Sequence, residues 1–106
     1  MDNELNEQNN FIMYTTDDGQ VDIEVRLEEE NVWLTQKSMA ELFETTRNNI
    51  TMHIKNIFED GELQEKTVSK DSLLTAKDGK NYKTKFYNLD LIIAVGYRVK
   101  SVRGTQ

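Results

Sequence analysis

The sequence predicts an α+β fold, and three observations carry that expectation. Along Val21–Leu27 apolar residues alternate with charged ones, the period of a half-buried strand. From Thr35 to Phe58 they recur at helical spacing instead. A second strand-like pair, Thr67–Thr75 and Tyr82–Asn88, then brackets Asp78-Gly79 before a last apolar stretch opens at Leu89. Two hairpins flanking a pair of helices, closed by a terminal helix, follow from that order.

The elements can be justified in turn. Residues 1–10 are polar and acidic without periodicity and read as a disordered lead-in, which leaves 11–106 as one domain. Phe11–Tyr14 is a short apolar run and Thr16-Asp17-Asp18-Gly19 a turn. Val21, Ile23, Val25 and Leu27 form the inward side of the returning strand, so 11–28 is a hairpin. Glu28–Asn31 is an acidic turn, and Val32-Trp33-Leu34 a third strand with Trp33 as a core anchor. Thr35 can cap a helix of about two to three turns whose apolar stripe is Met39, Ala40, Leu42 and Phe43. Thr45-Thr46 interrupts it. Thr46 caps a second helix with Ile50, Ile54, Ile57 and Phe58 on one face, and Asp60-Gly61 ends it. In the second hairpin Asp78-Gly79 signals a type I′ turn.

Asn88 caps the final helix, in which Leu89, Leu91, Ile92, Ile93, Ala94, Val95 and Tyr97 spread around the whole helical wheel. A helix apolar on every side has to be covered on every side. A partner copy, or residues beyond Gln106, is therefore expected against it. The ending Lys100–Gln106 offers neither a helix stop nor a domain edge, so a longer chain is expected.

Composition narrows the function classes. The 106 residues, 37% of them hydrophobic, suffice for one modest core. The absence of cysteine excludes disulfides and thiolate zinc sites. No signal peptide or membrane span is legible, and a cytoplasmic location is expected. The net charge of −6 is unevenly spread. Residues 1–46 hold twelve acidic and two basic side chains, whereas residues 47–106 hold seven acidic and eleven basic ones. A basic surface confined to the second half suits one DNA-facing side, although solubility produces such splits as well.

The segment Leu34–Ile54 is the informative one. A helix-turn-helix needs a small residue where its helices cross, supplied by Ala40, and apolar residues closing a miniature core, supplied by Met39, Phe43, Ile50 and Ile54. It also needs a tight turn, here Glu44-Thr45-Thr46. Glu44 departs from the pattern, which places a glycine of positive φ there; a longer or differently shaped turn is expected to accommodate it. With Ile50 inward, Asn48, Asn49, Met52, Lys55 and Asn56 lie across the opposite face, Thr51 on its flank and Arg47 in the first turn. Asparagine can pair with adenine in the major groove, threonine or methionine can touch a thymine methyl, and Arg47 and Lys55 can meet phosphate. A polar face that merely meets solvent is the plainer reading of the same residues.

The second hairpin contains Lys66, Lys70, Lys77, Lys80, Lys83 and Lys85 against Asp71 and Asp78 alone. Of these, Lys77, Lys80, Lys83 and Lys85 are the candidates for phosphate contact by a wing, which would position the protein without specifying sequence. Edge-strand protection by lysine explains the same composition. The expected fold is thus a winged helix-turn-helix with an N-terminal β-hairpin, a hairpin wing and a C-terminal apolar helix.

Catalysis and cofactors are not expected. His53 is the single histidine, so no histidine pair exists for a metal or triad, and a packed imidazole is the better reading. Glu28-Glu29-Glu30 and Asp17-Asp18 read as solvated turns, and none of the five glycines forms a phosphate-binding loop. An enzyme would need catalytic groups from beyond Gln106.

Tyr87–Gln106, with its run Val95-Gly96-Tyr97-Arg98-Val99 followed by Arg103-Gly104-Thr105-Gln106, resembles the virulence-associated RhuM family of bacterial proteins, and Trp33–Leu63 is similar to it too. The resemblance implies a prokaryotic DNA-binding protein of mobile or virulence-linked regions, loosely akin to phage antirepressor N-terminal domains, whose sequence continues past Gln106. It implies no target site and no catalytic residues. The expected role is sequence-specific binding of double-stranded DNA in transcription or mobile-element regulation, as a homodimer through the apolar C-terminal helix. The alternative is a protein-interaction adaptor, in which the second helix faces solvent and the last helix docks a partner.

Overall fold

The computed structural model describes residues 11–15, 19, 22–28 and 30–104; the expected lead-in, most of the first hairpin's turn and the last two residues lie outside them. The architecture is mixed α+β, with four helices and two small antiparallel sheets among the described residues. The first sheet has the order β1 (Phe11–Thr15), β2 (Asp22–Glu28), β3 (Asn31–Trp33). Two helices follow, α1 (Gln36–Leu42) and α2 (Arg47–Glu59). A single turn, α3 (Glu65–Val68), leads into the hairpin β4 (Ser69–Thr75) and β5 (Asn81–Tyr87), and α4 (Leu89–Gly104) closes the chain.

The core sits where α1, α2 and α4 meet the first sheet. Its fully covered side chains come from each: Ile23 of β2, Met39 of α1, Ile50 and Ile57 of α2, Leu91 and Val95 of α4. Burying an isoleucine or leucine of this kind contributes about 1.5–3 kcal/mol relative to exposure. Among the described residues the two sheets share one backbone bridge. Just after β3, Leu34 pairs with Tyr87 at the end of β5, N–H to O in both directions at 2.9 and 2.8 Å. The β4–β5 hairpin therefore hangs from the strand that immediately precedes α1.

Local chemistry explains the helix starts. Thr35 and Thr46 have extended backbones, and their hydroxyls accept the N–H of Ser38 (3.1 Å) and Asn49 (3.0 Å). Each such cap stabilises its helix by about 1 kcal/mol. Asn88 accepts from Leu91 N at 3.3 Å, and Asn31 adds a second cap by accepting from Leu89 N at 3.2 Å. Gly61, with φ 76°, ends α2.

Several expectations are corrected. Glu44 adopts φ 57° itself, so the turn between α1 and α2 keeps its usual left-handed residue rather than changing shape. Thr45 N–H then reaches Ala40 O at 2.9 Å, which holds the left-handed residue between two satisfied turns. Thr67 and Val68 are helical, not extended; the N–H and hydroxyl of Thr67 both reach Gln64 O, so β4 starts only at Ser69. The hairpin turn is not type I′, because Asp78 does not share the positive φ of Gly79 (83°). Gly79 N–H binds Ala76 O and Ala76 N–H binds Lys80 O, a three-residue turn with its glycine in the bulge position.

The final helix has a covered face and an open one. Leu91, Ile92, Val95 and Val99 are buried, while Leu89, Ile93 and Tyr97 are exposed, Tyr97 by 75%. Gly96 faces the body, and a Cβ there would stand 2.8 Å from the ring of Phe43 at the end of α1. Among the described residues no helix is long and apolar enough to cross a membrane.

Candidate nucleic-acid interface

The outward face of α2 follows from what the helix buries. Ile50, His53, Ile54 and Ile57 are turned into the core, which leaves Arg47, Asn48, Thr51, Met52 and Lys55 exposed and Asn49 and Asn56 half-buried. These residues are not equally available to a ligand. The Asn49 side-chain amide donates to Thr45 Oγ1 at 2.7 Å, holding the turn that precedes the helix. The Thr51 hydroxyl lies 2.7 Å from Gln36 Oε1 and 2.9 Å from Arg47 O, and so is engaged within the chain. Lys55 lies 4.0 Å from Glu59, an exposed pair that is worth little in water. Asn48 and Met52 project without a hydrogen-bond partner among the described residues.

Gln36 ties three elements together. It faces Thr51 of α2 through its oxygen and Tyr87 OH of β5 (3.3 Å) through its nitrogen, from the first turn of α1. Beside it lies a groove of about 320 Å³ lined by Thr35, Gln36, Lys37, Arg47, Leu74, Thr84 and Lys85. The structure thus brings Arg47 and Lys85 to one place, along with Lys37. The other candidates on α2 and the hairpin lie outside this groove.

The hairpin lysines divide by their neighbours. Lys77 and Lys80 are exposed at the turn, without an ion pair among the described residues. Lys83 sits 3.7 Å from Asp71, and Lys85 hydrogen-bonds Glu65 at 2.8 Å, a contact that raises the Lys85 pKa and keeps it cationic. Lys70 is withdrawn from the surface: it pairs with Glu28 and stands over the Trp33 ring at 4.2 Å. At the turn, the Lys80 N–H and the Tyr82 hydroxyl bind Asp78, lowering its pKa.

Other charged groups hold elements of the fold together. One Arg98 nitrogen holds Asp60 (2.9 Å) and Glu62 (3.0 Å), fastening α4 to the end of α2. His53 is buried beside it, and burial first, then the Arg98 charge, lowers its pKa. No group of histidine and carboxylate side chains among the described residues could hold a metal ion.

Two contributors to this surface carry no clear mark in the sequence. Lys37 looks like one more solvated residue of a short helix until β5 is seen beside it, and Gln36 acquires its bridging role only through Tyr87 and Thr51. The position of both in the first turn of the first helix is the one signal that could point to them.

Residues 67–106 match the family model described as the Virulence protein RhuM family. The match spans the β4–β5 hairpin and α4, and it includes the whole of Tyr87–Gln106; Trp33–Leu63 lies outside it. Neither the curated proteins nor the solved structures contain a match to the chain.

Proposed function

With its last forty residues carrying the RhuM family pattern, we propose that the chain binds double-stranded DNA as a winged helix-turn-helix protein, regulating transcription or a mobile element in the bacterial cytoplasm. In this reading α2 enters the major groove, where Asn48 and Met52 meet base edges, and Arg47 and Lys55 meet phosphate. The β4–β5 hairpin acts as the wing, its lysines following the backbone.

The observation that carries the proposal is the groove shared by Lys37, Arg47 and Lys85. It puts cationic groups from the first turn of α1, the first turn of α2 and the wing strand on one surface, although the chain as a whole is acidic. The Leu34–Tyr87 pairing supports the winged form, because it fixes the hairpin to the segment that starts the helix pair.

Salt-dependent binding to a pool of duplex sequences tests it. Replacing Lys83 and Lys85 with alanine is expected to weaken binding to all sequences alike and to flatten the salt dependence. Asn48→Ala is expected to relax sequence preference instead, by about 1–3 kcal/mol at the base it reads. Equal retention of DNA by the wild type and all three variants would sink the proposal.

One observation favours a second reading. Leu89, Ile93 and Tyr97 stand at successive helical turns on the open face of α4, a surface suited to a second copy or another protein. As a two-fold homodimer the chain would present two α2 helices to half-sites about 34–36 Å apart. As an adaptor it would need that face alone.

A further inference from the structure

A polar cluster fastens the hairpin to the first sheet. Its centre is Arg26. The alternation of β2 reads Arg26 as an outward, solvated residue, yet its side chain is only 12% exposed. It crosses from β2 to the hairpin, where Nη1 donates to Ser72 Oγ at 2.7 Å and Nη2 lies 3.5 Å from Leu73 O. The guanidinium lies over the Phe86 ring, 4.4 Å from its centre. Glu28, one residue pair further along β2, sits 3.8 Å from Arg26 and also pairs with Lys70 of β4, which covers Trp33 of β3.

We infer that Arg26 is a positioning residue that sets the angle of the hairpin against the helix pair. The hairpin's only backbone tie to the first sheet among the described residues is the pairing of Leu34 with Tyr87, at its base. A ribbon held at one end pivots freely unless something braces it further out. Ser72 lies opposite Thr84 in the ladder, three pairs outward from the Tyr87 end, and there Arg26 makes its brace. Arginine suits the task because its planar fork stacks on an aromatic ring while its edges donate hydrogen bonds. Its Nε is buried without a hydrogen-bond partner among the described residues, a cost set against the Ser72 bond and the Phe86 stacking. The functional meaning of the brace rests on the wing reading above, since only a wing gains from being held at one angle.

The test uses the lack of cysteine, which lets spin labels be placed at chosen sites. Labels at Glu59→Cys on α2 and Asn81→Cys on β5 report the hairpin's position as a distance distribution. A single narrow distribution is expected in the otherwise unchanged chain, spreading by several ångström on Arg26→Met. Ser72→Ala removes one hydrogen-bond acceptor and leaves the arginine in place, so it decides the matter should Arg26→Met not fold; a smaller spread is expected. Unchanged distributions in the folded variants would overturn the inference. A separate arm measures DNA. Arg26→Met and the pair Lys77→Ala, Lys80→Ala are expected to weaken binding non-additively, because a loose wing already forfeits its tip contacts. A protein that binds no DNA yet loses its narrow distribution on Arg26→Met would retain the brace and discard the wing reading.

Discussion

The helices α2 and α4 bury their inner faces in the same core but turn opposite chemistry outward. Helix α2 presents Arg47, Asn48, Met52 and Lys55 around one exposed methionine; α4 presents Leu89, Ile93 and Tyr97. Both are one-sided helices, so the inner face says little about role. The outer face differs in what it can meet without loss: the first stays solvated beside a polyanion, whereas the second gains only by covering apolar surface. The difference separates the kinds of partner that each face would suit.

The largest effect should come from the core the two helices share. Ile57→Ala is expected to lower unfolding free energy by about 2–5 kcal/mol in urea titration, and to weaken both outer faces together. If only one face lost its activity, the two helices would not depend on a common core. Gly96→Val is the next test. Its side chain must displace the Phe43 ring, and a loss of about 1–3 kcal/mol in the same titration is expected.

A pH dependence should come from the α2 side of the boundary. Burial and Arg98 hold the His53 pKa below its unfolded value of about 6.5. As pH falls below that value the unfolded chain takes up the proton first, so stability declines towards the folded pKa; above it both states are neutral and the contribution is level. Thermal unfolding between pH 7 and 5 is expected to show this decline, and His53→Gln to reduce it. Last, Ile93→Glu is expected to leave unfolding free energy within about 0.5 kcal/mol, since the side chain is 60% exposed. It should nevertheless shift any self-association seen by sedimentation equilibrium towards the monomer. Unaltered association would move the contact surface elsewhere.

Much of this arrangement is legible in the sequence because local rules dominate it. The caps Thr35, Thr46 and Asn88, the inward isoleucines of α2 and the two hairpins follow from side-chain hydrogen bonding and period alone. What is not legible depends on contacts distant in the chain or on backbone angles that side chains disguise. Glu44 occupies a glycine's conformation because Thr45 and the capped start of α2 hold the chain there. Asp78-Gly79 looks like a two-residue turn, but the pairing of Ala76 with Lys80 sets a longer one. Lys70 reads as one more wing cation, and only the approach of β2 and β3 shows it capping Trp33. The candidate surface suffers the same ambiguity: Asn49 and Thr51 share a face with Asn48 in the helical wheel, yet neighbours in α1 and the turn already occupy them.

Phe43 fills the space that any side chain at position 96 would need, so α4 meets the end of α1 there through a ring against bare backbone. That ring belongs to the residue before Glu44, where the chain reverses towards α2. A larger residue at Gly96 would therefore intrude on the corner from which Arg47 and Asn48 start.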